Sequence, residues 1–155
     1  MDDFRFLLNY VSTMTKRGQT SFALFPGIIT VNAFTEIEHR LNLKIPQELF
    51  DFYTFSNGAI LGEYEILPIS QIPSALGELH SLYDDMWISS LLPFAYVSGV
   101  GDWIMLDLKR ITLEGTSIID GFHEVPPETW KVICYGLPIW LEKMCASNFR
   151  PFWKY

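Results

Sequence analysis

The side chains that could carry chemistry are few, and their spacing does not suit it. The chain has three histidines, two cysteines and eighteen carboxylates. A serine nucleophile needs a tight turn flanked by glycines, and Ser98, in Val97-Ser98-Gly99-Val100-Gly101, lacks the first of them. Gly99 and Gly101 have no third glycine and no following Lys-Ser/Thr, so no phosphate-cradling loop is expected. Cys134 and Cys145 stand alone, without a CxxC pair or a histidine nearby in sequence, and Cys145 beside Met144 reads as a core thiol. His80 and Asp84 are four apart and could share a helix face, but a metal needs a third ligand and Asp85 points elsewhere on a helix. His123-Glu124 reads as a surface pair. No catalytic residue, metal or cofactor is therefore expected. An enzyme would need two or more of Glu65, Asp102, Asp107 and His123 to converge in one cleft.

What remains is binding. The chain carries a formal net charge of −7, unevenly spread. Residues 57–130 hold eleven acidic side chains against Lys109 and Arg110 alone. Such a middle repels nucleic-acid phosphates and favours cationic partners. The plainer reading is an acidic surface that keeps the protein soluble. The segment Glu78 to Trp87 is the best contact candidate, because Leu79, Leu82, Tyr83, Met86 and Trp87 alternate with Glu78, Asp84 and Asp85. Aromatic anchors ringed by charge are the make-up of an interface hot spot. An ordinary amphipathic helix with its apolar side in the core would have the same spacing. Glu63 and Glu65 around Tyr64 form a second acidic cluster. Asp102 either joins this acidic face or is a turn residue accepting backbone N–H bonds. Asn57 has the same two readings. The candidate partner-binding set is Glu63, Glu65, Glu78, Tyr83, Asp84, Asp85, Trp87 and Asp102. The basic aromatic end, Phe149 to Tyr155, has too few cations for a phosphate footprint and is expected to pack back onto the fold.

The elements that must position these residues follow from pattern. Phe4, Leu7, Leu8, Val11 and Met14 recur at helical spacing, with a stop near Lys16-Arg17-Gly18. Ser21 to Val31 is a strand or loop interrupted by Pro26-Gly27. Asn32 can cap a helix with Phe34, Ile37 and Leu41 inward, ending at Asn42. Another begins at Pro46, buries Leu49, Phe50 and Tyr53, and ends at Asn57-Gly58. Tyr64–Leu67 reads as a strand, and residues 70–90 as a short helix and a loop. Leu91–Val97 and Trp103–Leu108 flank a Gly-rich turn and read as a hairpin, with a further strand at Thr116–Ile119. Leu137, Trp140, Leu141 and Met144 predict a last helix with Pro138 in its first turn. This order is α+β: an antiparallel sheet with helices packed on one side, in a single domain over 1–155. The acidic start Met1-Asp2-Asp3 and the short, broken apolar runs predict no secretory signal and no membrane span. With two lone cysteines, they point to the cytoplasm.

Two blocks of this pattern resemble the SUKH superfamily, the group that includes the yeast cell-wall-assembly regulator. The first runs from Thr35-Glu36-Ile37-Glu38 through Asn42-Leu43-Lys44-Ile45-Pro46, Leu49 and Tyr53 to Asn57-Gly58, then Glu65-Ile66-Leu67-Pro68-Ile69-Ser70-Gln71-Ile72. The second is Leu92-Pro93-Phe94-Ala95 followed by Gly101-Asp102-Trp103-Ile104-Met105-Leu106-Asp107-Leu108. At the last helix Tyr135-Gly136 replaces the family's usual Ser-Phe start. The resemblance covers about residues 33–146. It implies a SUKH-like α+β fold and a function without catalysis. Many bacterial members are immunity proteins that bind and neutralise a cognate toxin, often a nuclease. The expectation is thus an immunity protein whose partner is a cognate toxin, possibly with a basic nuclease domain. An intracellular scaffold or regulatory domain is the alternative, and a neighbouring toxin gene would distinguish them.

Overall fold

A computed structural model describes residues 3–28 and 31–154. Five α-helices and seven strands follow in the order α1 Phe6–Lys16, β1 Phe22–Leu24, α2 Asn32–Leu41, α3 Gln47–Phe55, β2 Ala59–Leu61, β3 Tyr64–Ile66, α4 Ile72–Tyr83, β4 Leu91–Val97, β5 Trp103–Thr112, β6 Gly115–Gly121, β7 Lys131–Tyr135 and α5 Leu137–Ala146. The strands form one antiparallel sheet in sequence order, β1 to β7. The α+β architecture expected from the element order is the one found.

Strand alternation divides the sheet into two faces. Leu92, Leu106, Ile118 and Cys134 lie in register across β4 to β7 and enter the main core with Leu7, Leu49, Phe52, Leu137 and Trp140 from the helices. Met105 and Ile119, one residue along, face the other way and join Leu79, Leu91 and Trp130 in a second, smaller core. Helix α4 spans both: Ile72, Ala75 and Leu76 belong to the first core, Leu79 to the second. The same helix therefore carries its C-terminal turn onto the sheet face that the other helices leave uncovered.

Several local expectations change. Leu8, on the expected buried stripe of α1, is 51% exposed, whereas its neighbours Phe4 and Leu7 are buried. Asn32 is the first residue of α2 rather than its cap, and Pro46 immediately precedes α3 instead of lying within it. Only Phe22–Leu24 of the Ser21–Val31 run is strand, and residues 29 and 30 lie outside the described residues. Strands β2 and β7 were not expected. Helix α4 is longer than the expected short helix, because Pro73 sits in its first turn, where no helical N–H partner is needed.

One buried carboxylate ties these layers together. Glu48 on α3 accepts the backbone N–H of Thr116 on β6 (2.9 Å) and of Leu137 at the start of α5 (3.1 Å). The chains can approach this closely because Gly115 and Gly136 have no side chains: a Cβ on Gly115 would lie 2.4 Å from the Gly136 Cα.

Candidate protein-binding site

The C-terminal turn of α4 and the 84–86 turn after it carry most of the candidate residues. Tyr83 and Trp87 are half-buried and stack at 6.2 Å between centroids. Trp130 meets Tyr83 edge-on at 5.4 Å and Trp87 at 6.4 Å. Trp130 itself is fixed: its Nε1–H donates to the carbonyls of Phe122 (2.9 Å) and Val125 (3.2 Å). The three rings form a base whose indoles and phenol have few free rotamers, which lowers the entropy lost on docking. Burial, with the charge of Asp102 second, pushes the Tyr83 phenol above its ordinary range, keeping it a hydrogen-bond donor.

Above that base the surface is mixed. Glu78, Asp84 and Asp85 are exposed. So are two large apolar side chains, Leu82 at 72% and Met86 at 51%. An amphipathic helix with its apolar side in the core would bury both. Only Leu79 of that stripe is buried outright, since α4 ends at Tyr83 and Asp84 turns the chain away at φ 52°. That turn also takes Asp84 off the helix, so the helical His80–Asp84 spacing that could have held a metal is not realised.

The other candidates divide. Glu65 is exposed on β3, in register with Tyr96, which pairs with Trp103 at 5.0 Å between rings. Their strand neighbours Ile66, Ala95, Val97 and Ile104 all enter the main core, so Glu65, Tyr96 and Trp103 lie on the opposite sheet face, that of Tyr83 and the second core. Glu63 does not join them. It is exposed at the β2–β3 turn and lines a cavity with Tyr64 and Val97, which belong to the main core. Asp102 is a correction: it is 4% exposed and cannot form part of an open acidic face. Its Oδ1 accepts the backbone N–H of His123 (3.0 Å) and contacts His123 Nδ1 at 2.6 Å, pinning the 122–125 loop to the β4–β5 turn.

Asp102 and His123 thus converge, as an enzyme would have required of two such residues. His123 Nε2 faces Glu124 Oε1 at 3.9 Å, and among the described residues no serine, threonine or cysteine side chain is bonded to the ring. Asp107 is also buried, bonded to the Lys109 N–H (3.1 Å) and paired with Arg110 (3.3 Å). Asn57 is spent on structure: its Oδ1 accepts the Ile69 N–H at 2.8 Å. The surplus negative charge does not gather on one surface, as Glu114 sits in the β5–β6 turn at the far end of β5 from Asp102. The sheet arrangement of Tyr96 and Trp103 was missed in sequence, although their period-two spacing from buried neighbours was the available signal.

Neither cysteine is poised to react: burial raises the Cys134 thiol and pushes Cys145 up to about 12. Among the described residues no helix is long and apolar enough to cross a membrane. The model of the SMI1 / KNR4 family (SUKH-1) matches residues 28–143, about three quarters of the chain. No curated protein matches.

Proposed function

Because the chain belongs to the SMI1 / KNR4 family (SUKH-1), we propose that it is an immunity protein that neutralises a cognate bacterial toxin by direct contact and without catalysis. The observation that supports this most is the exposure of Leu82 and Met86 beside Asp84 and Asp85, on the fixed base of Tyr83, Trp87 and Trp130. Exposed apolar side chains next to carboxylates and rigid aromatics suit a docking centre with a charged rim. The partner that fits is a protein with a basic groove, such as a toxin acting on a polyanion. Exposed carboxylates would raise the encounter rate, from about 10⁵–10⁶ M⁻¹s⁻¹ towards 10⁸ M⁻¹s⁻¹ or more at low salt. The apolar and aromatic contacts would set the lifetime of the complex.

The test is co-expression with the neighbouring toxin reading frame, scored for rescued growth and a co-purifying complex. Asp84→Lys with Asp85→Lys should slow association and flatten its salt dependence. Trp87→Ala should instead raise the dissociation rate by about tenfold or more, as truncation of a hot-spot aromatic does. A salt-independent association rate would remove the electrostatic part. Full rescue by the variant that combines Asp84→Lys, Asp85→Lys and Trp87→Ala would show that this face is not the docking site.

A further inference from the structure

His80 has no metal partner once Asp84 leaves the helix, yet it does not stand alone. It borders a groove of about 220 Å³ between α2 and α4. Leu41 and Leu76 give the groove an apolar floor, and Trp87 forms part of its wall. Arg40 reaches across from the last turn of α2. Its Nη2 lies 4.0 Å from where a Cβ on Gly77 would stand, and no other atom outside the helix backbone comes as near among the described residues. The bare backbone at Gly77, in the middle of α4, therefore keeps the groove open. Ser89, exposed after α4, completes the lining.

The polar groups on this groove are donors without acceptors. The chain has eighteen carboxylates and a net charge of −7, yet among the described residues neither Arg40 nor His80 is ion-paired with any of them. The Ser89 hydroxyl has no hydrogen-bond partner among them either. A cation at the carbonyl end of α2 also suits the helix dipole, which accounts for Arg40 alone. It does not account for a second basic ring, a free hydroxyl and an indole around the same apolar floor. The groove also shares Trp87 with the docking face described above, so the two are continuous.

We propose that this groove receives a glutamate side chain of the partner protein, with Arg40 as the principal anchor. A guanidinium binds a carboxylate with two parallel N–H bonds, and His80 and Ser89 supply further donors. The apolar floor suits the two methylenes of a glutamate stem. The volume admits one side chain, below the roughly 300–1,000 Å³ of pockets for larger ligands. The identity of the partner rests on the docking face proposed above. Asp84 and Asp85 would meet basic residues on one side of Trp87, and Arg40 and His80 an acid on the other. Opposite charges at the two ends of one contact fix its register and disfavour a uniformly basic competitor.

The test is an NMR titration of the full chain with N-acetyl-glutamate methylamide and its uncharged analogue, N-acetyl-glutamine methylamide, at constant pH and ionic strength. The reporters are the His80 ring protons, assigned with His80→Gln, and the exposed His39 ring is the control. The glutamate probe should give a saturable shift at His80 and none at His39, with half-saturation at about 1–20 mM, as suits one partly exposed ion pair on an apolar floor. The glutamine probe should bind at least about fivefold more weakly. Arg40→Gln should weaken the glutamate probe by about fivefold or more. Gly77→Leu should abolish its binding by filling the groove, with no charge altered and a better helix former in place. No saturable shift at His80, equal response to both probes, or unchanged binding in Arg40→Gln or Gly77→Leu would each overturn the proposal. The probe needs no toxin, so its failure strikes the groove alone and leaves the docking face to the co-expression test.

Discussion

Replacing Glu48 should unfold more of this protein than any exposed acid could. Its carboxylate is 8% exposed and accepts two backbone N–H groups, from chain positions 68 and 89 residues away. Hydrogen bonds to a charged acceptor contribute about 1.5–3 kcal/mol each. Part of that offsets the cost of burying the carboxylate, which removal of the side chain recovers. The Leu137 N–H lies in the first turn of α5 and has no helical acceptor of its own. With alanine at 48, both donors are stranded in a region closed by Gly115 and Gly136. The expected loss for Glu48→Ala is about 3–4 kcal/mol, and for Glu48→Gln, which keeps one acceptor oxygen, about 1–2 kcal/mol. Against a total of about 5–15 kcal/mol, the alanine variant becomes marginal. Urea unfolding of the parent and both variants, with midpoints compared at constant slope, measures this. Glu36→Ala, an exposed acid on α2, is the control and should stay within about 0.5 kcal/mol. A Glu48→Ala loss below about 1 kcal/mol, or equal losses for alanine and glutamine, would refute the assignment of Glu48 as the bridge.

Two further outcomes follow from the same contacts. Asn57→Ala removes the acceptor for the Ile69 N–H and should cost about 1 kcal/mol in thermal unfolding, with Asn57→Asp close to the parent because it retains that oxygen; a neutral alanine variant would return Asn57 to the binding candidates. Cys145, with its thiol pushed up to about 12, should alkylate slowly in the native protein at pH 8, and the rate should keep climbing well above pH 9 as thiolate forms. Complete reaction of the native protein within minutes at pH 8 would contradict that burial.

The exposed and the buried carboxylates act differently: Asp84 and Asp85 stand in water, where charge acts on encounter rates, while Asp102 is enclosed and holds the His123 loop in place.

Local patterns decided much of the fold. Leu91–Val97 and Trp103–Leu108 are long, β-prone runs around a glycine turn, and α5 has a four-residue apolar stripe with proline where a helix tolerates it. Such signals need only neighbours along the chain. Strand β2, three residues long, is too short for any period to show, and β7 sits close behind Pro126-Pro127, where a break was the natural reading. Which charges remain exposed was also beyond the sequence. Asp102 and Asp84 look alike there, but the 122–125 loop closes over one while the chain turn after α4 lifts the other into water. Composition and spacing determined an acidic, aromatic-rich α+β domain with no evident catalytic motif. Enclosure depends on segments far apart in sequence meeting at hydrogen-bonding distance, so only the tertiary structure decided which carboxylates brace the fold and which are left for a partner.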